Sequence, residues 1–104
     1  MTKKVKTIHI GKKDIYEWTM GEGKSMLMPL LFDASKKVIL EDIKELKAFR
    51  VEAEIRGNQK AFDFWVKLDE IESTLSKILE WALEEENYEM CNEIKKLENK
   101  IETF

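Results

Sequence analysis

One cysteine, one histidine, one proline and four glycines among 104 residues exclude several kinds of chemistry at the outset. Cys91 alone cannot close an internal disulfide, and His9 has no cysteine or carboxylate beside it at ligand spacing, so neither a disulfide scaffold nor a zinc site is expected. Lacking a nearby histidine and basic residue, Cys91 is also a poor candidate for a thiolate nucleophile. The longest apolar run, Met26 to Phe32, contains Pro29 and falls far short of the roughly 20 residues that span a bilayer. No charged leader followed by an apolar stretch opens the chain. With the lone cysteine, this gives the expectation of a cytoplasmic protein with no membrane partner.

What is present argues for a folded chain. Hydrophobic residues make up 43% and charged residues 38%, with ten aromatics, which is too apolar for disorder and fits one domain over residues 1–104. The net charge of -3 hides an asymmetry. Residues 1–57 carry 12 Lys/Arg against 9 Asp/Glu, and residues 58–104 carry 6 against 12. A +3 half followed by a -6 half favours head-to-tail self-association or a charged partner over a continuous basic groove. Lys3, Lys4, Lys6, Lys12 and Lys13 form the one acid-free cluster. Lysines guard strand edges, and the same five are the candidate contacts should nucleic acid be a partner.

The expected fold is α+β, a small N-terminal antiparallel sheet followed by a three-helix antiparallel bundle. Val5 to Ile10 is β-rich, Gly11-Lys12-Lys13 suits a turn, and Ile15 to Met20 resumes as a second strand, although Asp14 to Met20 also suits a short helix. Met26 to Phe32 would supply a third strand, pushed to the sheet edge by Pro29. Residues 1–38 therefore read as the β-rich part and 39–104 as the helical part.

From Leu40 the spacing turns helical, with Ile39, Ile43, Leu46, Phe49 or Arg50, and Ala53 at helical steps, Gly57 as a stop and Asn58 as the next cap. A second helix would run from Asn58 to Glu85 with Ala61, Trp65, Leu68, Leu75, Leu79 and Ala82 on its buried stripe, widened by Phe64, Ile71 and Ile78 on the adjacent row, unless Ser73-Thr74-Leu75-Ser76 breaks it. On that reading Trp65 is core and Trp81 lies off the stripe. The last helix carries Met90, Ile94, Leu97, Ile101 and Phe104 at a 4-3-4-3 spacing that suits a coiled-coil seam and a homodimer.

The stretch Ala82-Leu83-Glu84-Glu85-Glu86-Asn87-Tyr88-Glu89 has an acidic helix end, a polar turn and an aromatic restart, the pattern of a helical-hairpin tip. A blurred copy, Ala53 to Phe62, lies 29 positions upstream. With Ile94, Leu97 and Ile101 on the apolar side, the last 30 or so residues resemble the UVR motif of the UvrB, UvrC and McsA type, a helical hairpin of excision-repair proteins and Clp-linked regulators. Cys91-Asn92 and Lys95-Lys96 depart from its usual small residues and Arg-Asp pair. The resemblance implies a self-associating, protein-binding module.

A second resemblance is to the Gly-Glu-Gly-Lys-Thr phosphate loop of SecA-type ATPases, carried by Gly21-Glu22-Gly23-Lys24-Ser25. Such a loop aims backbone N–H groups and a lysine at phosphates from between a buried strand and a helix. Trp18 stands where a further glycine is usual, and Pro29 stands where the helix would begin. Nucleotide hydrolysis is therefore not expected.

Paired carboxylates such as Asp69-Glu70 read as solvated helix faces, not as acid–base machinery, which needs a concave site. The expectation is a non-catalytic interaction module without cofactor or metal, an adaptor or inhibitor that docks on a larger machine. Compact Lys- and Glu-rich chains of this kind are common among phage and mobile-element proteins. The expected partner-binding residues are Trp81, Glu84, Glu85, Tyr88 and Glu89, because an off-stripe tryptophan beside an acidic turn suits a basic, partly apolar groove. The alternative is a nucleic-acid-associated accessory protein of repair or gene regulation.

Overall fold

The computed structural model describes residues 6–102. It is α+β, as expected, but strands and helices alternate along the chain. Strand β1 (Lys6–Gly11) is followed by the short helix α1 (Ile15–Met20) and the long helix α2 (Lys24–Leu40). Strands β2 (Glu45–Ile55) and β3 (Asn58–Lys67) come next, then a 3₁₀ turn over Leu68–Glu70 and the helices α3 (Ile71–Glu84) and α4 (Tyr88–Glu102). The described strands form one sheet in the order β1-β2-β3, with β1 parallel to β2 and β3 antiparallel to it. The division at residue 38 fails for the same reason: α2 lies in the part read as β-rich, and the two longest strands lie in the part read as helical.

Of the two readings open for Asp14 to Met20 the short helix is the one that forms, as α1, and the expected third strand lies within α2. Asp14 caps α1 by accepting a hydrogen bond from the Glu17 N–H at 3.0 Å. Gly23 opens α2 where its bare Cα lies against an indole, since a Cβ there would come within 2.7 Å of the Trp18 ring. Pro29 sits inside α2, with no N–H to offer the Ser25 carbonyl.

α2 looks unlike a helix in sequence because it is buried on two sides. Leu27 joins Ile8, Ile10, Trp18, Phe49, Val51 and Ala53 beneath the sheet. Met28, Phe32, Val38 and Ile39 join Leu75, Ile78, Ala82, Ile94 and Leu97 of the helical hairpin. The helix is the middle layer between sheet and hairpin, so its apolar residues go around it and read as a continuous run.

β2 and β3 replace the expected helices over Ile39 to Gly57 and the first part of Asn58 to Glu85. Phe49, Val51 and Ala53 are buried, and Arg50, Glu52 and Glu54 between them face the other side. That alternation prevails over the helical spacing of Leu46, Phe49 and Ala53. The turn is Arg56-Gly57, with φ of 52° and 79°, the doubly left-handed geometry of a two-residue type I′ hairpin. The upstream copy of the hairpin tip is therefore a β-hairpin.

The tip at Ala82 to Glu89 forms where expected. Glu86 takes a φ of 57°, the Asn87 N–H donates to the Ala82 carbonyl at 2.8 Å and the Glu86 N–H to that of Leu83 at 3.1 Å. These bonds are those of a Schellman C-cap, here with glutamate where glycine is usual. Asn87 then caps α4, its Oδ1 accepting from the Met90 N–H at 3.2 Å. The α4 seam turns inward: Ile94 and Leu97 are buried against α3 and α2, with Met90 and Ile101 packed beside them. Phe104 lies outside the described residues.

Candidate interaction surface

The acidic tip is partly engaged within the chain. Trp81 is only 5% exposed and belongs to the core, which corrects its assignment as a surface contact. Lys24 Nζ lies 5.6 Å from the centroid of its ring and 2.7 Å from Glu84 Oε2. The Ser25 hydroxyl donates to the Glu85 carboxylate. The lysine and hydroxyl of the phosphate-loop-like sequence are thus held by two side chains of the hairpin, and the loop connects two helices instead of leaving a strand. Of the expected contacts, Tyr88 and Glu89 remain on the surface without such a docking role.

Lys3 and Lys4 lie outside the described residues. Lys6, Lys12 and Lys13 are exposed at the β1 edge and its turn, and Lys13 Nζ lies 2.6 Å from Glu22 Oε1. No described helix covers the outer face of the sheet, where Trp65 is 48% exposed, contrary to its expected core position. Lys47 Nζ stands 5.2 Å from the Trp65 ring centroid and 3.3 Å from Asp63 Oδ2. Arg50 grips the same carboxylate with both ends of its fork, Nε at 2.7 Å and Nη2 at 3.3 Å. The Arg50 hydrogen bond holds the Asp63 carboxyl below its ordinary pKa, and the same bond raises that of Arg50. On β1 and β2, His9 Nδ1 lies 2.9 Å from Glu52 Oε2. The cations of this face are largely balanced by acids beside them.

An apolar groove of about 420 Å³ lies between α1 and β3, lined by Ile15, Tyr16, Thr19 and Met20 on one side and Phe62 and Phe64 on the other. Tyr16 is 80% and Met20 48% exposed. Phe64 stacks on Phe49 with ring centroids 4.7 Å apart, so the floor of the groove is anchored to the core. Beside it runs the outer edge of β3, which no other described strand pairs. Ile55 and Asn58 flank the two-residue turn and form its hydrogen-bonded pair, so alternation directs the backbone groups of Gln59, Ala61, Asp63, Trp65 and Lys67 outward.

A helical reading of residues 58–85 puts Phe62 and Phe64 on a helix, and with Asp14 to Met20 open to strand or helix nothing brings them together with Tyr16 and Met20. The signal was there in the alternation of Phe62, Phe64 and Val66. Among the described residues no group of three or more His, Cys, Asp or Glu side chains is placed to hold a metal ion. Cys91 is buried, and no described helix is long and apolar enough to cross a membrane. No protein-family model, curated protein or solved structure matches the chain.

Proposed function

We propose that this protein works by protein–protein contact without catalysis, as an adaptor or inhibitor, and that its α1–β3 surface receives another polypeptide chain. The observation that carries the reading is the adjacency of an apolar groove and an open strand edge. The groove offers pockets for side chains and the edge offers main-chain donors and acceptors, the two components of recognition by strand addition. Tyr16 and Met20, exposed on a helix of six residues, serve contact better than they serve the core.

A photo-crosslinking amino acid placed at Tyr16 tests this in extract of the native cell, with the same probe at Tyr88 as comparison. Protein adducts that form at Tyr16 and disappear in a Met20→Glu background are expected. Adducts at Tyr88 alone would move the site to the acidic tip.

A second reading rests on Trp65, whose exposed ring beneath Lys47 has the form of a base-stacking platform. Asp63 pairs with both Lys47 and Arg50 there, which lowers their pull on a phosphate backbone. Addition of single-stranded oligonucleotides should leave tryptophan fluorescence unchanged. Salt-sensitive quenching lost in Trp65→Ala would favour the nucleic-acid reading.

A further inference from the structure

We propose that the occupant of the β3 edge is a second copy of this chain, paired antiparallel through β3 about a twofold axis at Phe64 to make a six-stranded sheet. The proposal rests on the reading of the α1–β3 surface as a protein-binding site and names its partner.

The two edges of the sheet differ in a way that points to β3. Over its described residues, Lys6–Gly11, β1 has its register broken between His9 and Gly11, a feature that discourages edge pairing. β3 runs for ten residues, and its central segment Ala61-Phe62-Asp63-Phe64-Trp65-Val66 holds one charge and neither glycine nor proline. A β-rich segment of this kind on an open edge invites another strand.

The side-chain pattern weighs against two registers and favours a third. Centred on Asp63, antiparallel self-pairing sets two carboxylates against each other. Centred on Phe62, it sets Lys60 opposite Phe64. Centred on Phe64, it sets Phe62 opposite Val66 and Phe64 opposite its own copy, so that the groove-side apolar row continues across the junction. On the outer face Asp63 then lies opposite Trp65 and diagonal both to Lys67 and to its own copy, while Ala61 lies opposite Lys67, so no like charges lie directly opposite each other.

The backbone agrees. In this register Asp63 with Trp65, and Ala61 with Lys67, are the pairs that exchange hydrogen bonds, and these are the residues whose N–H and C=O point away from β2. Phe64 falls at a non-hydrogen-bonded pair, where side chains approach closest. Tyr16 and Met20 of each copy flank the joined row.

Sedimentation equilibrium of the full chain tests the proposal, with two variants that leave the β2–β3 ladder intact. Ala61→Pro removes an outward N–H, and Trp65→Glu sets a carboxylate opposite Asp63. The wild type is expected to dimerise at micromolar concentration, and each variant to raise the dissociation constant by about tenfold or more, with an unchanged circular dichroism spectrum. A monomer at all concentrations overturns the proposal. So does a dimer indifferent to both variants, which would place the contact elsewhere. A monomer whose Tyr16 probe crosslinks a different protein overturns self-pairing while leaving the α1–β3 surface in place; a monomer with no Tyr16 adduct removes both.

Discussion

Lys24 and Glu84, sixty residues apart in sequence, meet at 2.7 Å and tie the α1–α2 loop to the tip of the α3–α4 hairpin. The lysine that gives the loop its likeness to a phosphate-binding sequence is mostly covered, with Trp81 beneath its ammonium group and a carboxylate on it. Ser25 is bonded to Glu85 alongside. Lys24→Ala should therefore lower stability by about 1 kcal/mol, the scale of a partly exposed ion pair with a cation–π contact, and thermal unfolding measures it. Titration with ATP should show no saturable binding in either form.

Trp81→Ala removes a core side chain, not a contact. A loss of about 3 to 5 kcal/mol is expected from lost burial and the cavity left behind, against a total of about 5 to 15 kcal/mol for a typical domain. Urea denaturation gives the value. A loss under about 1 kcal/mol would mean that the indole is not packed where the structure puts it.

Glu86 occupies the left-handed C′ position at the end of α3. Glutamate is strained there and glycine is not, so Glu86→Gly should stabilise the chain by about 0.5 to 1 kcal/mol. The change also removes a negative charge from the negative end of the α3 dipole. Equal or lower stability of this variant in denaturant titrations would count against the Schellman geometry.

How much of this was legible in the sequence differs by element. The first strand and the hairpin tip were, because each owes its form to local signals: the β-branched run before Gly11, and the acidic turn capped by Asn87. α2 was not, because sheet and hairpin bury it from two sides and erase the amphipathic stripe that marks a surface helix. β2 carried two patterns at once, the helical spacing of Leu46, Phe49 and Ala53 and the alternation of Phe49, Val51 and Ala53. Arg56-Gly57 is not the Asn-Gly signature that would have decided between them. The site was missed with the strands, since Phe62 and Phe64 share a groove wall only when residue 63 points to the opposite face. The same error exchanged the tryptophans: Trp65 left the core and Trp81 entered it.

Acid should weaken the outer face of the sheet through Asp63. Because the Arg50 hydrogen bond lowers the carboxyl's pKa in the folded state, its stabilisation is complete above the ordinary carboxylate value. It is lost as pH falls through the lowered value. Asp63→Asn should consequently flatten the fall of the unfolding midpoint between neutral and acidic pH, with most of the difference from wild type seen at neutral pH. A wild-type acid slope in this variant would contradict the pairing.

Amide hydrogen exchange along β3, followed by NMR as protein concentration is raised, tests most directly that the open β3 edge is a site for another chain. In dilute solution the amides of Ala61, Asp63 and Trp65 should exchange fast, while those of Lys60, Phe62 and Phe64, bonded to β2, stay protected. As concentration rises, the first three should gain protection together and the others should change little. Protection of all six down to concentrations at which the chain is monomeric would mean that the edge is already covered within one chain. Fast exchange of Ala61, Asp63 and Trp65 at every concentration, unchanged by any chain crosslinked at Tyr16, would contradict the account.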